Sequence, residues 1–573
     1  MMPIDNVTLI FVELAVGLLV AVILGSIARF FRQPLILAYI TAGVLISILG
    51  ILKVGEQDVL PLMASFGVIF LLFLTGVELR ISDLKFIGKS AILAGIGQLV
   101  ATFLAGLAIT NFLNFGLTES IYISLALTFS STVIVVKLLS EKKDLNSLYG
   151  QISIGILLVQ DAAAILALII LSGFATPGET FTIATISTIL LKGLIVILLA
   201  ILLNRLILPA TFSYSAASPE LLLITALTFC FIFAAFTKLV GFSLEIGAFI
   251  AGVALATSPY HLAISAKIRP IRDFFVVLFF IFLGTNMVIT QLGQFIIPVV
   301  VLSVFILVGT PIIVLVILGL LGHKKRTSFL TSVALAQISE FSLILVVTGL
   351  RLGHIGPEIV SLVAAVGIIT ITVSSYMITH SNWLYTKLAK YLDVFERKQL
   401  AEGIIIKEGN FSDHIVLVGA EQVGKDLLRF LTKKTDGGKI IVVDFNPAVI
   451  ENLAADGINA LYGDIADFEL LADLNFAAAK LIISTVPDVV DNLTLVKTAK
   501  NAGFAGPIIT TAYWAKDGVT LYEAGADFVL VPELAASSKV IRILAESWEN
   551  LDQIRVAKPK HLEELLEKTK AST

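Results

Sequence analysis

The first two thirds of the chain consist of apolar runs that are separated by short polar breaks. Most runs have the roughly 17–25 residues that an α-helix needs to cross the hydrocarbon core of a bilayer. The pattern predicts about thirteen spanning helices, although the Gly/Ser-rich run 241–258 could instead be re-entrant. The predicted spans are 8–28, 35–51, 60–79, 90–113, 119–139, 150–173, 181–203, 219–237, 241–258, 271–290, 294–320, 328–350 and 357–380.

The loops between these runs predict the orientation of the chain in the membrane. Loops 111–118, 175–180 and 287–294 contain no lysine or arginine, whereas the alternate loops are basic. Basic loops of membrane proteins lie in the cytoplasm, so an odd number of spans places the N-terminus outside and the C-terminal region inside. The basic residues are Arg29, Arg32, Arg80, Lys85, Lys89, Lys137, Lys142, Lys143, Arg205, Lys267, Arg269, Arg272, Lys324, Lys325 and Arg326.

Beyond about residue 380 the chain changes to an ordinary charged sequence. Short β-rich runs then alternate with helical runs, which is typical of a parallel doubly wound sheet. The predicted strands are 414–418, 439–444, 459–462, 480–485, 507–511 and 527–531. We therefore predict an all-α polytopic membrane domain (1–381), a linker (382–412), an α/β Rossmann-like domain (413–535) and a helical tail (536–573).

Composition agrees with a membrane protein. Of the 573 residues, 57% are hydrophobic and 14% are charged, which is far from the average usage of soluble proteins. A net charge of −3 gives no indication of a nucleic-acid partner, and the single cysteine, Cys230, excludes a disulfide framework within the chain. The N-terminus lacks a basic segment and a cleavage site, so we interpret its first apolar run as a membrane helix.

Asp161, preceded by Gln160, lies in the middle of the predicted span 150–173. An ionisable side chain at this depth is costly and usually marks an ion pathway or a proton relay. One acid that can hold either a proton or a cation is the minimum requirement for an exchanger, so we predict K⁺ or Na⁺ binding at Asp161. A carboxylate that only supports helix packing is the alternative.

Two other spans carry polar clusters. Ser130, Ser131 and Thr132 follow one another within the span 119–139, where three hydroxyl groups compete for backbone hydrogen bonds and weaken the helix. Gln337 to Glu340 interrupt the span 328–350 with a second intramembrane acid. Interrupted helices in both halves of a transporter are typical of inverted repeats with the binding site between them. Ordinary serine and threonine packing between membrane helices is the alternative.

The first strand of the C-terminal domain ends in a degraded dinucleotide-binding motif. Gly419 and Gly424 are present, but Glu421 replaces the middle glycine that lets the backbone approach a pyrophosphate. Asp444 follows about 20 residues later, where an acid can accept ribose hydroxyls. Asp464 could line the same crevice, and glycines that only serve packing are the alternative. The predicted nucleotide-binding residues are Gly419, Gln422, Val423, Gly424, Asp444 and Asp464.

Together these motifs resemble the monovalent cation/proton antiporter-2 family, and residues 413–535 resemble the TrkA-N module that regulates potassium conductance (RCK). The combination is similar to the Kef-type potassium efflux systems and covers about residues 8–535. The motifs that carry the resemblance are Ser130–Thr132, Gln160–Asp161, 246–252, 272–275 with 282–284, and 337–341.

The resemblance implies a homodimer in a bacterial inner membrane that works by elevator-like alternating access. Asp161 would be the shared ligand for the cation and the proton, joined by Gln160, Ser130, Ser131, Thr132 and Glu340. A Gln-Asp pair is the variant associated with K⁺/H⁺ exchange, which one acid would make electroneutral, and Na⁺/H⁺ exchange is the alternative. The regulatory domain would bind an adenine nucleotide and gate transport. Because Glu421 disfavours a pyrophosphate, we expect AMP in preference to NAD(H) or ATP.

Two departures and three competing functions remain at this point. Thr310 occupies the position where many relatives carry lysine, and the tail after residue 535 contains no recognisable glutathione site. A ligand-gated K⁺ channel would need a carbonyl filter motif such as Thr-Val-Gly-Tyr-Gly, which the sequence does not contain. An NAD-dependent membrane enzyme would need a substrate domain, and a nucleotide sensor without transport would leave Asp161 unexplained.

Overall fold

Two compact units make up the chain, Met1–Lys398 and Gln399–Thr573. Each is described by itself below. The computed structural model describes residues 6–31, 33–49, 59–78, 89–142, 144–145, 147–173, 183–206, 208–216, 218–287, 293–395, 404–405, 411–420, 423–444, 447–463, 465, 471, 474–548, 550 and 562.

The first unit is entirely helical in its described residues. Its helices are α1 (Asn6–Phe30), α2 (Leu35–Ile48), α3 (Val59–Glu78), α4 (Lys89–Phe112), α5 (Leu117–Thr128), α6 (Thr132–Lys142), α7 (Leu148–Gly173), α8 (Ile183–Leu206), α9 (Leu208–Ser215), α10 (Pro219–Val240), α11 (Leu244–Ala256), α12 (His261–Thr285), α13 (Ile296–Val304), α14 (Thr310–Leu320), α15 (Lys325–Ala334), α16 (Glu340–Arg351), α17 (Pro357–Thr379) and α18 (Ser381–Leu392). One π-helical turn, Phe305–Gly309, joins α13 to α14.

Helices occupy each of the thirteen predicted positions. Within the described residues, seven helical segments are long and apolar enough to cross a membrane, while α2 and α11 are apolar but shorter. The all-helical membrane fold is therefore confirmed, and the number of spans stays a prediction. So does the re-entrant alternative for 241–258, where α11 has 13 residues.

Two of the predicted spans are broken near their middle, at the polar clusters identified in the sequence. Phe129 has an extended backbone and ends α5, and α6 begins three residues later at Thr132. The second break separates α15 from α16, which begins at Glu340 with Ser339 as its N-cap. The hydroxyl of Ser339 accepts a hydrogen bond from the backbone N–H of Phe341 at 3.1 Å. Side-chain capping of this kind stabilises a helix end inside a low-dielectric environment.

The helices pack mainly within two groups. The first group contains α1–α3 and α8–α12, and the second contains α4–α7 and α13–α18. Reciprocal glycine contacts bring helices of the first group close together. A Cβ atom added at Gly43 would lie 2.9 Å from the Cα of Gly284, and one added at Gly76 would lie 3.0 Å from the Cα of Gly252. Small residues at such crossings let membrane helices approach through their backbones.

The second unit is a seven-stranded sheet with flanking helices. The strands are β1 (Ile404–Ile405), β2 (His414–Val418), β3 (Ile440–Asp444), β4 (Asn459–Tyr462), β5 (Ala479–Ser484), β6 (Ile508–Thr511) and β7 (Phe528–Leu530). The helices are α19 (Val423–Lys434), α20 (Pro447–Ala455), α21 (Val489–Asn501), α22 (Ala515–Glu523) and α23 (Pro532–Ser547).

The strand order is β1-β4-β3-β2-β5-β6-β7. Strands β2 to β7 pair in parallel, and the order reverses direction on either side of β2, as in a Rossmann sheet. The predicted doubly wound fold is therefore confirmed. Strand β1 was not predicted: it pairs antiparallel with β4 and lies within the segment predicted as a linker. An apolar pair of two residues is too short to produce a strand pattern.

Candidate ion site and nucleotide site

The two helix breaks of the first unit contact each other directly. The hydroxyl of Ser130 donates a hydrogen bond to the backbone carbonyl of Leu335 at 2.8 Å. The hydroxyl of Ser131 donates one to Oε2 of Glu340, also at 2.8 Å. All four residues are buried. Two half-helix N-termini, those of α6 and α16, therefore lie at one polar site inside an apolar bundle.

Helix α7 supplies the acid of this site. Thr132, the first residue of α6, donates a hydrogen bond from Oγ1 to Oδ2 of Asp161 at 2.9 Å. The side chain of Asp161 is buried in the interior of α7, away from both helix ends. The break in the helix thus lets the hydroxyl of Thr132 bind the carboxylate. In a continuous helix this hydroxyl would instead bond to the backbone of its own helix.

Gln160 connects the same break to a neighbouring helix. Its Oε1 accepts a hydrogen bond from the backbone N–H of Ser130 at 2.8 Å. Its Nε2 donates to Oε1 of Gln98, on α4, at 2.7 Å. Gln98 in turn donates from Nε2 to the backbone carbonyl of Thr128 at 3.2 Å and to Oγ1 of Thr102 at 3.1 Å. A fully buried amide chain therefore spans the break.

The electrostatic settings of the two acids differ. Glu340 is the first residue of α16 and accepts hydrogen bonds from Ser131 and, at 3.5 Å, from Ser339. A helix N-terminus stabilises a negative charge. Asp161 lies inside its own helix, whose dipole gives no such support, and the helix end beside it is the N-terminus of α6 at Thr132. Among the described residues, neither carboxylate forms an ion pair.

The other polar residues of the predicted spans have separate environments. Glu78 accepts a hydrogen bond from Arg269 at 2.8 Å at an exposed position. Glu245 of α11 pairs with Arg351 of α16 at 3.4 Å. Lys192 is exposed in α8, and the side chain of Glu13 lies outside the described residues. Thr310 is buried at the start of α14, directly after the π-helical turn.

In the second unit, the glycine loop follows β2 at the carboxyl edge of the sheet. Gly419 has a left-handed backbone (φ +82°), and a Cβ atom there would lie 2.5 Å from Oγ1 of Thr485. Thr485, directly after β5, donates from Oγ1 to the carbonyl of Gly419 at 3.0 Å. A Cβ atom at Gly424 would collide with the same carbonyl. Glycine is therefore required at both positions by the packing of the loop itself.

Asp444, the last residue of β3, lies against this loop. Its Oδ2 accepts a hydrogen bond from the backbone N–H of Ala420 at 2.8 Å, and the side chain is buried. Val423 and Gly424 begin α19, whose N-terminus faces the loop. Backbone N–H groups at a helix N-terminus form a natural anion site. Gln422, Asp464 and Glu421 lie outside the described residues.

Comparison with known proteins identifies both units. Residues 17–381 match the family described as sodium/hydrogen exchanger, transmembrane. The chain belongs to this sodium/hydrogen exchanger family. Residues 415–532 of the exchanger match the TrkA-N domain. The predicted combination of a cation/proton antiporter with an appended TrkA-N domain is thereby confirmed, and the exchanger is an integral membrane protein.

Several curated proteins resemble the exchanger. The putative cation/proton antiporter YbaL of Escherichia coli (strain K12) is 29% identical over 544 residues, which cover 92% of this chain and 96% of that protein. K(+) efflux antiporter 5 of Arabidopsis thaliana is 33% identical over 58% of this chain and 60% of its own length. The glutathione-regulated potassium-efflux system protein KefC of Shigella flexneri serotype 5b is 26% identical over 86% of this chain and 78% of its own.

The structure brings together all six membrane residues predicted for the ion site of the exchanger. They form three hydrogen-bonded pairs at the break between α5 and α6: Ser130 with Gln160, Ser131 with Glu340, and Thr132 with Asp161. Their roles stay predictions. Sequence reasoning missed Gln98, whose signal was a single amide in the apolar run of α4. Of the predicted nucleotide residues, the described ones meet at the carboxyl ends of β2 and β3: Gly419, Val423, Gly424 and Asp444.

Proposed function

We propose that the exchanger carries out electroneutral K⁺/H⁺ exchange at Asp161, with K⁺ efflux as its direction. The observation that carries this proposal is the contact of Thr132 with Asp161 at 2.9 Å, inside a site built from two broken helices. Broken helices near the membrane midplane offer carbonyl oxygens and half-helix dipoles to an ion. A buried acid beside such groups is suited to hold a cation and a proton alternately.

Asp161 fits this role better than Glu340. A negative charge on Glu340 is stabilised by the N-terminus of α16 and by two hydroxyl donors. Asp161 has one hydroxyl donor, and it lies in the middle of its own helix rather than at a helix N-terminus. Its charge therefore depends more strongly on a bound cation, which is what competition between proton and cation requires.

The choice of K⁺ rests on the names of the plant and Shigella relatives, which are K⁺ efflux antiporters or K⁺ efflux systems. Na⁺/H⁺ exchange is the second candidate, because the matched family is described as a sodium/hydrogen exchanger. Gln160 contributes no charge, so one cation exchanged for one proton at Asp161 would move no net charge.

Alternating access would occur by motion of the two helix groups past each other. The ion site lies within the second group, among α4–α7, α15 and α16. The glycine crossings lie within the first group, which suits a fixed frame. We propose that this frame forms the homodimer contact, in a bacterial inner membrane with the N-terminus outside and the C-terminal unit in the cytoplasm.

We further propose that an adenine nucleotide, AMP in preference to NAD(H) or ATP, binds the second unit and gates transport. The left-handed Gly419, the N-terminus of α19 and the carboxylate of Asp444 form the expected arrangement for phosphate and ribose. Residues 413–535 would be the regulatory domain, with 382–412 as linker and 536–573 as tail.

Helix α18 supplies a route for such gating, because it contacts both broken helices before the chain continues to the second unit. Lys142, at the end of α6, donates a hydrogen bond to Ser381 at 2.9 Å. Lys325, at the start of α15, pairs with Asp393, the residue directly after α18, at 2.7 Å. Helix α6 spans about 15 Å from Thr132 to Lys142, so a shift of α18 would reach the ion site through a rigid element.

The exchange itself is tested with the purified protein in vesicles that contain a pH-sensitive dye. Addition of K⁺ should drive proton movement, and Na⁺ applied in parallel tests the second candidate. Asp161→Asn should abolish exchange without loss of folded protein. The matched control is Glu141→Gln, at an exposed acid outside the site. Near-normal exchange by Asp161→Asn would exclude the proposed role.

Nucleotide binding is tested by calorimetry on the purified exchanger with AMP, ATP and NADH. We expect AMP to bind most tightly and Asp444→Ala to weaken all binding. Addition of AMP to the vesicles should then change the transport rate. Coupling between such sites is typically worth about 1–3 kcal/mol. If no adenine nucleotide binds at millimolar concentration, gating by nucleotide is excluded.

A further inference from the structure

The break between α5 and α6 leaves backbone groups without helical partners in a buried environment. The carbonyl of Thr128 and the N–H of Ser130 lie on either side of the break. Bulk water does not reach these groups to form hydrogen bonds, and a buried backbone group without a hydrogen-bond partner costs free energy. Gln160 binds the N–H and Gln98 binds the carbonyl, while the two side chains bind each other.

The order of donors and acceptors in this series of hydrogen bonds is set by the two backbone groups at its ends. The N–H of Ser130 can only donate, so it faces Oε1 of Gln160, and Nε2 of Gln160 is left to donate. It donates to Oε1 of Gln98, which turns Nε2 of Gln98 toward the carbonyl of Thr128. One carboxylate in either position would break this order, since a carboxylate has no N–H to donate.

We infer that Gln98 is a positioning residue of the ion site and acts through Gln160 and the helix break. Its hydrogen bonds go to Gln160, Thr102 and Thr128 and none goes to Asp161, so it does not bind the ion directly. By holding the end of α5 and the start of α6 at one distance, it fixes where Thr132 meets Asp161. This inference rests on the proposed exchange at Asp161 and assigns a function to the amide of α4.

The same arrangement explains why position 160 requires an amide rather than a second acid. A carboxylate at 160 would still accept the N–H of Ser130 but could not donate to Gln98. Gln98 would then have to rotate its amide, and its Oε1 would face the carbonyl of Thr128. A site with two neighbouring acids would thus need a different residue at 98. The number of charges that the site carries is thus linked to a residue of the neighbouring helix α4 that makes no hydrogen bond with Asp161.

The test compares two variants of nearly equal size in the vesicle assay. Gln98→Leu removes every hydrogen bond of the side chain. Gln98→Glu keeps the acceptor for Gln160 and, when protonated, offers one hydroxyl to the carbonyl of Thr128. Thr110→Val is the matched control, since Thr110 is a buried polar residue of α4 that bonds only within its own helix.

We expect Gln98→Leu to raise the KM for the cation about tenfold at every pH, the factor that corresponds to about 1.4 kcal/mol. Gln98→Glu should show the same rise at high pH and should return toward the wild-type KM as the pH falls. Asp161 is present in the wild type and in every variant, so its own pH dependence affects each KM. Each KM is therefore divided by the wild-type KM measured at the same pH. Thr110→Val should leave the ratio near one.

Two results would overturn the inference. One is an unchanged KM in Gln98→Leu while the wild type exchanges normally. The other is an equal loss in both Gln98 variants with no dependence of the ratio on pH, since that is the behaviour of a residue needed only for folding. If the wild type itself shows no cation-driven proton movement, the proposed exchange fails instead, so the two failures are distinguishable.

Discussion

The hydroxyl of Thr132 is the most direct point at which to perturb the ion site. Thr132→Val removes one oxygen and keeps the β-branched shape, so the packing at the start of α6 is preserved. The hydrogen bond to Asp161 measures 2.9 Å and is partly buried. Hydrogen bonds to charged groups contribute about 1.5–3 kcal/mol. The ionised carboxylate loses this support in the variant, whereas a protonated one loses much less.

The variant should therefore favour the proton over the cation. Since about 1.4 kcal/mol corresponds to a factor of ten, the KM for the cation should rise roughly ten- to hundredfold at fixed pH. At saturating cation the rate should change much less. The assay is cation-driven proton movement in vesicles at several cation concentrations.

Thr132→Ser serves as the control, because it keeps the hydroxyl and loses only a methyl group. It should stay within a few-fold of wild type. The reasoning would be refuted if Thr132→Val had a normal KM, or if Thr132→Ser were impaired as strongly as Thr132→Val.

Three further predictions concern other parts of the exchanger. If Asp161 alone exchanges one cation for one proton, no net charge moves and the membrane potential should not alter the rate. A potential of about 100 mV contributes roughly 2.3 kcal/mol per net charge moved. A clear voltage dependence would therefore mean that Glu340 titrates as well. Arg351, on α16 of the second helix group, donates hydrogen bonds to two residues of the first group, Glu245 at 3.4 Å and Ser65 at 3.0 Å. Arg351→Gln should therefore change the maximal transport rate by up to about fivefold and leave the KM unaltered. A changed KM alone would contradict this. Burial lowers the pKa of His414, against the opposing effect of its hydrogen bond to the carbonyl of Leu474, so the unfolded chain binds the proton first as pH falls. The stability that the neutral ring contributes is present above the ordinary histidine pKa of about 6.5 and is lost below it, and thermal unfolding of the second unit on acidification should show this loss in wild type but not in His414→Gln.

The sequence predicted the local elements of the exchanger closely. Strand β2 was predicted at 414–418, as observed, and the other five predicted strands differ from the observed ones by one residue at each end at most. Apart from 459–462, each is a short run rich in β-branched residues, so the local pattern contains the information. The same holds for the break at Ser130–Thr132, where three hydroxyl residues interrupt an apolar run.

Pairings across the bundle could not be predicted in this way. Ser131 and Glu340 are 209 positions apart, and Gln98 and Gln160 are 62 apart. Local periodicity in the sequence contains no information on pairs that are so far apart along the chain. In the sequence, Gln98 is an isolated polar residue in a spanning helix. Its role becomes visible only in the structure, where it bonds to Thr128 and, through Gln160, is connected to Ser130. The intramembrane acids were found because their cost is visible in the sequence alone.

The glycine crossings of the first helix group have a consequence for how the exchanger can change over evolutionary time. At Gly43 with Gly284, and at Gly76 with Gly252, the distance between helices is set by main-chain atoms rather than by side chains. Residues elsewhere on these helices can then be exchanged for others of different volume without altering the spacing of the frame. We expect sequence drift to be tolerated on the lipid-facing surfaces of this group but not at these four glycines, where even one added methyl group would force the helices apart.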